Sequence, residues 1–225
     1  MTYTLVRSRR RKKTLSIQIK RDGTVLIQVP YRTPQRDIDR FFTEKKQWLQ
    51  KKIAQQQERQ AEKQHKTFRS GEPFLYLGKT YPLRIEDRQS RPETLTYTGR
   101  EFILSSDALP GARVLFLLWY QKKAREYIAA RVAHFSRVLR LSPRAVAINQ
   151  ARSRWGSCSA DNCLTFTWRM IMAPPEVIDF IVVHELSHMK IRNHSRDYWR
   201  FIESILPGYK EQKVWLRENS HLLMI

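Results

Sequence analysis

Cysteine is scarce in this sequence: there are two among 225 residues, Cys158 and Cys163, with four residues between them. That excludes a disulfide framework of the kind that staples small secreted domains. Long apolar runs are missing as well. The longest, around Val114 to Leu118 and Ile178 to Val183, fall far short of the ~18–20 residues that cross a bilayer. The opening MTYTLVRSRRRKK carries no apolar stretch after its basic residues, so it does not read as a secretory signal. Glycine numbers only 7, and there is neither a phosphate-cradling P-loop nor a GxGxxG. Acidic residues are few, and no cluster of them suits a carboxylate-held Mg2+. These absences lead to the expectation of a cytoplasmic protein with reduced thiols and no membrane partner. Nothing in the pattern speaks to oligomeric state.

What is present in excess is positive charge. Lys and Arg total 42 against 21 Asp and Glu, a formal net charge of +21. The excess is uneven, with 19 basic and 6 acidic residues in positions 1–70, a net of +13, and a net of +8 over the rest. Such a charge attracts polyanions, whether nucleic acid or nucleotide, and the basic N-terminal part is where they would bind. The same charge also serves solubility alone. It names a partner class and no chemistry.

Hydrophobic residues make up 41% and aromatic residues 11%, enough for a packed core. Leu15, Ile17 and Ile19, then Val25, Ile27 and Val29, alternate on either side of Asp22-Gly23, which predicts a hairpin. Thr33-Pro34 then predicts the start of a helix carrying Ile38, Phe41, Phe42, Trp48, Leu49 and Ile53. The polar stretch from 54 to 66 reads as a solvated helix extension or a linker. Short strands are expected over 74–78, 81–85, 95–97 and 102–104, extending the sheet begun by the hairpin. From Ala112 to Leu139 neither Gly nor Pro interrupts a helical pattern. Residues 145–151 and 163–168 read as strands joined by a loop, and Pro174-Pro175 opens a helix apolar on most faces. Short helices follow over 196–205 and 211–218. The expected fold class is α+β, with a basic β-rich lobe over 1–110 and a helical lobe with a small sheet over 111–225.

His184-Glu185-Leu186-Ser187-His188 is an HExxH pattern. Residues at i and i+4 share a helix face, so both imidazoles can reach one metal ion. Zinc suits neutral imidazole and keeps a position open for water when the protein supplies three ligands. Glu185 lies a ~100° turn from His184 and ~60° from His188, beside the metal position without ligating it. There it can take a proton from attacking water and pass it to a leaving group. A third histidine, His194, follows six residues after His188. The rival reading has these histidines making ordinary hydrogen bonds. Against it, half of the six histidines fall within eleven positions of one another.

Arg154-Trp155-Gly156-Ser157-Cys158-Ser159, Trp168-Arg169, Met172-Ala173-Pro174-Pro175 and VVHELSHMKIRNHSRDYW over 182–199 resemble the YgjP-like metallopeptidase family, which is related to the SprT-like and minimal gluzincin-type zinc proteases. The match is dense from Ala151 to Trp199 and thin before Gly111. The resemblance implies a zincin-like C-terminal lobe with Zn2+ held by His184, His188 and His194, Glu185 as catalytic acid and base, and a peptide or protein substrate. In the RWGSC loop, Arg154 offers a charge for an oxyanion, carboxylate or phosphate, and Ser157 offers a hydrogen bond. The bland alternative is that Trp155 packs, Gly156 permits a tight turn and Cys158 is a small buried thiol. Cys158 as a fourth metal ligand would close the position that water needs. Asp179 and Glu203 are candidates to orient a ligand imidazole, and Tyr198 and His221 reach the site as hydrogen-bond donors to the transition state only if the C-terminal segment folds back.

The residues alone give metal-assisted hydrolysis, and the resemblance supplies the peptide preference. Two other readings stay open. One keeps the site and exchanges the substrate for a nucleoside triphosphate, as in family members described as UTP pyrophosphatases. The other is a nucleic-acid-associated protein whose basic N-terminal lobe brings the zinc site to bound proteins.

Overall fold

The alternation read in the first thirty residues becomes a sheet with one apolar face. In a computed structural model, which describes residues 3–20, 24–61, 66–87 and 94–225, β1 (Tyr3–Ser8), β2 (Ser16–Ile19) and β3 (Val25–Pro30) form a sheet of order β1-β3-β2. β2 runs antiparallel to β3 with Ile17 opposite Ile27, as the hairpin reading requires, and the expected Asp22-Gly23 turn lies outside the described residues. β1 was not anticipated and pairs parallel to β3, with Leu5 opposite Ile27. Val25, Ile27 and Val29 are buried on one face of the sheet together with Ile38 and Leu49 of α1 (Gln35–Ala61). The helix therefore continues well into the polar stretch, and positions 62–65 lie outside the described residues.

The chain divides into two compact units, Met1–Gln64 and His65–Ile225, ahead of the 110/111 boundary expected from composition. The physical reason is where residues 66–110 bury their apolar side chains. β4 (Pro73–Tyr76), β5 (Lys79–Glu86), β6 (Leu95–Tyr97) and β7 (Phe102–Ser105) form their own sheet of order β4-β5-β7-β6 and do not extend the N-terminal one. Phe74, Leu83, Phe102 and Leu104 enter the same core as α2 (Ala112–Leu139). The β4–β5 turn also docks on the segment before the next helix. Leu77 N–H donates to the Ile171 carbonyl at 2.8 Å and Gly78 N–H to that of Met172 at 3.1 Å. Gly78 has φ +76°, and a Cβ there would come within 2.8 Å of the Pro174 backbone, so this docking needs glycine.

α2 buries a stripe of Phe116, Tyr120, Ala124, Ile128 and Val132 at four-residue spacing and ends at Arg140 in the left-handed region. Beside it lies a second sheet of order β8-β10-β9, made of β8 (Ala145–Asn149), β9 (Gly156–Cys158) and β10 (Cys163–Thr167). β9 falls inside the stretch expected to be a loop. α3 (Pro175–Ser187) starts with proline in its first turn and is buried on most faces, as its composition requires. α4 (Arg196–Ile205) and α5 (Tyr209–Asn219) complete a mixed α+β fold, with five helices and three small sheets among the described residues. No helix among the described residues is long and apolar enough to cross a membrane.

Candidate metal centre

Helical spacing sets the first two imidazoles. His184 lies in the last turn of α3 and His188 caps it, with ring centroids 4.9 Å apart. The third arrives from the connection to α4, whose shape follows from its own polar side chains. Asn193 Oδ1 accepts from the Ser195 N–H at 3.2 Å, and Ser195 caps α4 by accepting from the Tyr198 N–H. His194 between them stacks on Trp199, centroids 5.6 Å apart. One nitrogen from each of His184, His188 and His194 lies within 4.8 Å of the others.

Several observations fit this triad to a metal ion. His184 Nε2 and His194 Nε2 stand 3.2 Å apart, close to the ~3.3 Å separating two nitrogens on a tetrahedral zinc with ~2.05 Å bonds. His188 Nδ1 faces the Ile191 carbonyl at 3.1 Å. Donating there leaves Nε2 of the neutral ring unprotonated and available as a lone pair. His184 Nδ1 is buried without a hydrogen-bond partner, so this ring lacks the outer acceptor that His188 has. Burial pushes the His184 pKa down to about 3, helped by the neighbouring His188 and His194, and burial lowers His188 as well. Neutral imidazoles are what a metal requires.

Tyr198, fully buried on α4, donates its hydroxyl to the His184 carbonyl at 2.8 Å and stacks on His188, centroids 4.6 Å apart. The sequence suggested it as a donor to substrate, but its hydroxyl is committed to the backbone of the helix that carries the histidines.

Glu185 is 6% exposed. Burial lifts its pKa to about 7, and the charge of Arg154 works in the opposite direction. Its side chain lies against β9. A Cβ added to Gly156 would meet Glu185 Cγ at 2.6 Å and Oε1 at 2.7 Å. Gly156 therefore serves close approach, and the tight turn suggested by sequence is replaced by extended strand. Arg154 is exposed on the segment leading into β9. Ser157 points to the opposite sheet face, where its hydroxyl pairs with Thr165 Oγ1 at 2.7 Å. Cys158 lies beside Arg192, whose Nη1 approaches its sulfur at 3.5 Å.

The other candidates have partners of their own. Asp179 takes a two-point ion pair from Arg131 at 2.6 and 2.8 Å, and Glu203 pairs with Lys210 at 2.8 Å. His221 sits in a short turn at Ser220–Leu222, apart from the triad. Arg192 carries no role in the sequence reading. It ties the connection bearing His194 to the β9–β10 turn, donating to the carbonyls of Ser159 at 2.7 Å and Ala160 at 3.1 Å and to Asn162 Oδ1. An arginine two residues before a ligand was the available signal.

The YgjP-like metallopeptidase domain family matches residues 13–219 of the chain, well beyond the 151–199 stretch whose motifs carry the resemblance. No curated protein and no solved structure matches it.

Proposed function

The chain belongs to the YgjP-like metallopeptidase domain family, and from that premise we propose that it is a zinc-dependent peptidase. His184, His188 and His194 hold the metal, and Glu185 is its acid and base. Three imidazoles without a carboxylate among them favour zinc over harder ions. A zinc ion held there supplies Lewis acidity for the scissile carbonyl and lowers the pKa of water toward 7.

The observation that carries the mechanism is the burial of Glu185 beside the triad. A carboxyl group that burial makes a stronger base is poised to accept a proton from attacking water and to return it to the departing amine nitrogen. Arg154, exposed next to this carboxyl group, supplies positive charge for a substrate carboxylate or a developing oxyanion. Ser157, committed to Thr165, is given no role. Among the described residues no carboxylate cluster accompanies the triad. Phosphoanhydride cleavage draws on Mg2+ held by such groups, so the donor set favours a peptide over a nucleoside triphosphate.

Metal content by mass spectrometry tests this reading, on protein purified without chelator or nickel resin. About one zinc per chain is expected in wild type, strongly reduced in His194→Ala and retained in Glu185→Gln. Glu185→Gln should lose at least ~100-fold in peptide hydrolysis. Failure to take up zinc when it is offered would overturn the reading. So would Mg2+-dependent UTP hydrolysis that is indifferent to Glu185→Gln.

A further inference from the structure

The metal centre leaves the most highly charged part of the chain unexplained. Residues 1–64 hold 17 Lys and Arg against 6 Asp and Glu. α1 turns its apolar residues Ile38 and Leu49 to the sheet, and at helical spacing its opposite side presents Arg36, Arg40, Gln47 and Lys51, all exposed. Arg40 pairs with Asp37. Lys45 is also exposed, at a spacing that puts it nearer the side of Ile38 and Leu49, so that it and Lys51 lie to either side of Trp48; among the described residues, no carboxylate partner neutralises Arg36, Lys45 or Lys51.

Two aromatic side chains stand in this field. Trp48 is 47% exposed on α1, one helical turn from both Lys45 and Lys51. Tyr31 is 54% exposed between β3 and α1, next to Arg32, with the Arg9 guanidinium 5.2 Å from its ring centroid. An exposed aromatic residue by itself is ordinary. The combination with uncompensated cations has a definite chemical match, because unpaired bases stack on exposed rings while their phosphates meet the cations. A duplex hides its base faces, and an anionic polymer without bases has none, so neither would use the rings.

We propose that the N-terminal unit binds single-stranded nucleic acid, stacking bases on Trp48 and Tyr31 and meeting phosphates with Arg36, Lys45 and Lys51. The site lies in a different unit from the metal centre and does not rest on the peptidase reading. Fluorescence anisotropy on the full chain tests it, at about 150 mM salt, with labelled oligo(dT) and oligo(U) of about 16 nucleotides. A duplex of equal length, heparin and phosphatidylserine vesicles serve as competitors. Both strands should bind, and the unlabelled single strand should compete better than duplex, heparin or vesicles. A preference for one strand would assign the site to DNA or to RNA. Trp48→Ala and Tyr31→Ala should each weaken binding by ~5- to 100-fold without changing the salt dependence, and Trp48→Phe should recover most of the loss. Lys45→Gln with Lys51→Gln should instead flatten the slope of log K against log salt by about 1.4. The proposal is overturned if neither strand binds, if both aromatic→Ala variants bind as wild type, or if duplex, heparin or vesicles compete as well as the single strand.

Discussion

At position 156 the room for a single methyl group is taken by the side chain of Glu185. The side chain of Glu185 fills the volume that a Cβ would need, with Cγ only 2.6 Å away. That atom is near the root of the side chain, so Gly156→Ala must move the whole carboxyl group within a buried site. Peptide hydrolysis is expected to fall on the order of 100-fold while zinc content stays at the wild-type level, which separates misplacement of the base from loss of the metal. A second consequence concerns pH in protein stripped of metal. The folded pKa of Glu185, about 7, lies above its ordinary 4.5. The unfolded chain therefore gives up this proton first, and stability is lost as pH rises from 4.5 to 7. His184 has the opposite sign: its folded pKa of about 3 lies below its ordinary 6.5, and stability is lost as pH falls below 6.5. Comparing Glu185→Gln with wild type isolates the carboxyl contribution. In urea unfolding with chelator present, the advantage of the variant should widen from pH 4.5 to 7 and level off above; an advantage that stays constant with pH would contradict the burial effect. The proximity of Gly156 to Glu185 was not legible in the sequence, because 29 positions separate them and a glycine read alone suggests only a turn. The histidine pair was legible, because helical spacing alone brings residues four apart together.

Among the elements, those set by local rules emerged from the sequence and those set by distant pairing did not. α2 and α3 follow from uninterrupted apolar patterns and from Pro174-Pro175, and both form close to the expected bounds. β9 is three residues, Gly-Ser-Cys, without a β-branched side chain, and exists because β10 pairs with it. The sheet to which β4–β7 belong is decided by the Leu77-Gly78 turn meeting residues almost a hundred positions away. The connection between α3 and α4 is likewise held from outside itself, by Arg192 on the β9–β10 turn and by Tyr198 on the His184 carbonyl. Arg192→Ala should lower metal affinity by about 10- to 100-fold in a chelator competition, with secondary structure unchanged by circular dichroism. Tyr198→Phe removes one hydrogen bond and should cost about 1 kcal/mol of stability, read from denaturant unfolding of the metal-free protein. If Arg192→Ala binds metal as wild type, the connection holds His194 by itself.

For the whole molecule, composition misled about where one unit ends. The basic, Gly- and Pro-punctuated half was expected to extend to residue 110, yet the apolar residues after 66 belong to the core around α2 and α3. That core lies within His65–Ile225, whereas among the described residues Met1–Gln64 buries only Val25, Ile27, Val29, Ile38 and Leu49. A chain of residues 65–225 is therefore expected to melt cooperatively and to take up metal in the same ratio as the full chain. A 1–64 fragment should be marginal, as small domains with few buried residues are. Failure of the longer fragment to fold would mean that its core depends on the first 64 residues.

The triad is divided between a core helix and an exposed connection: His184 lies in α3 and His188 caps it, while His194 sits at the surface, on a path shaped by Asn193, Ser195 and Arg192 and by the stacking of its ring on Trp199. Opening that connection would release one ligand without disturbing the core. The residence time of a bound ion is then governed by a local fluctuation rather than by global unfolding. Metal exchange should run much faster than amide exchange in α3, and stabilising the core should leave its rate unchanged.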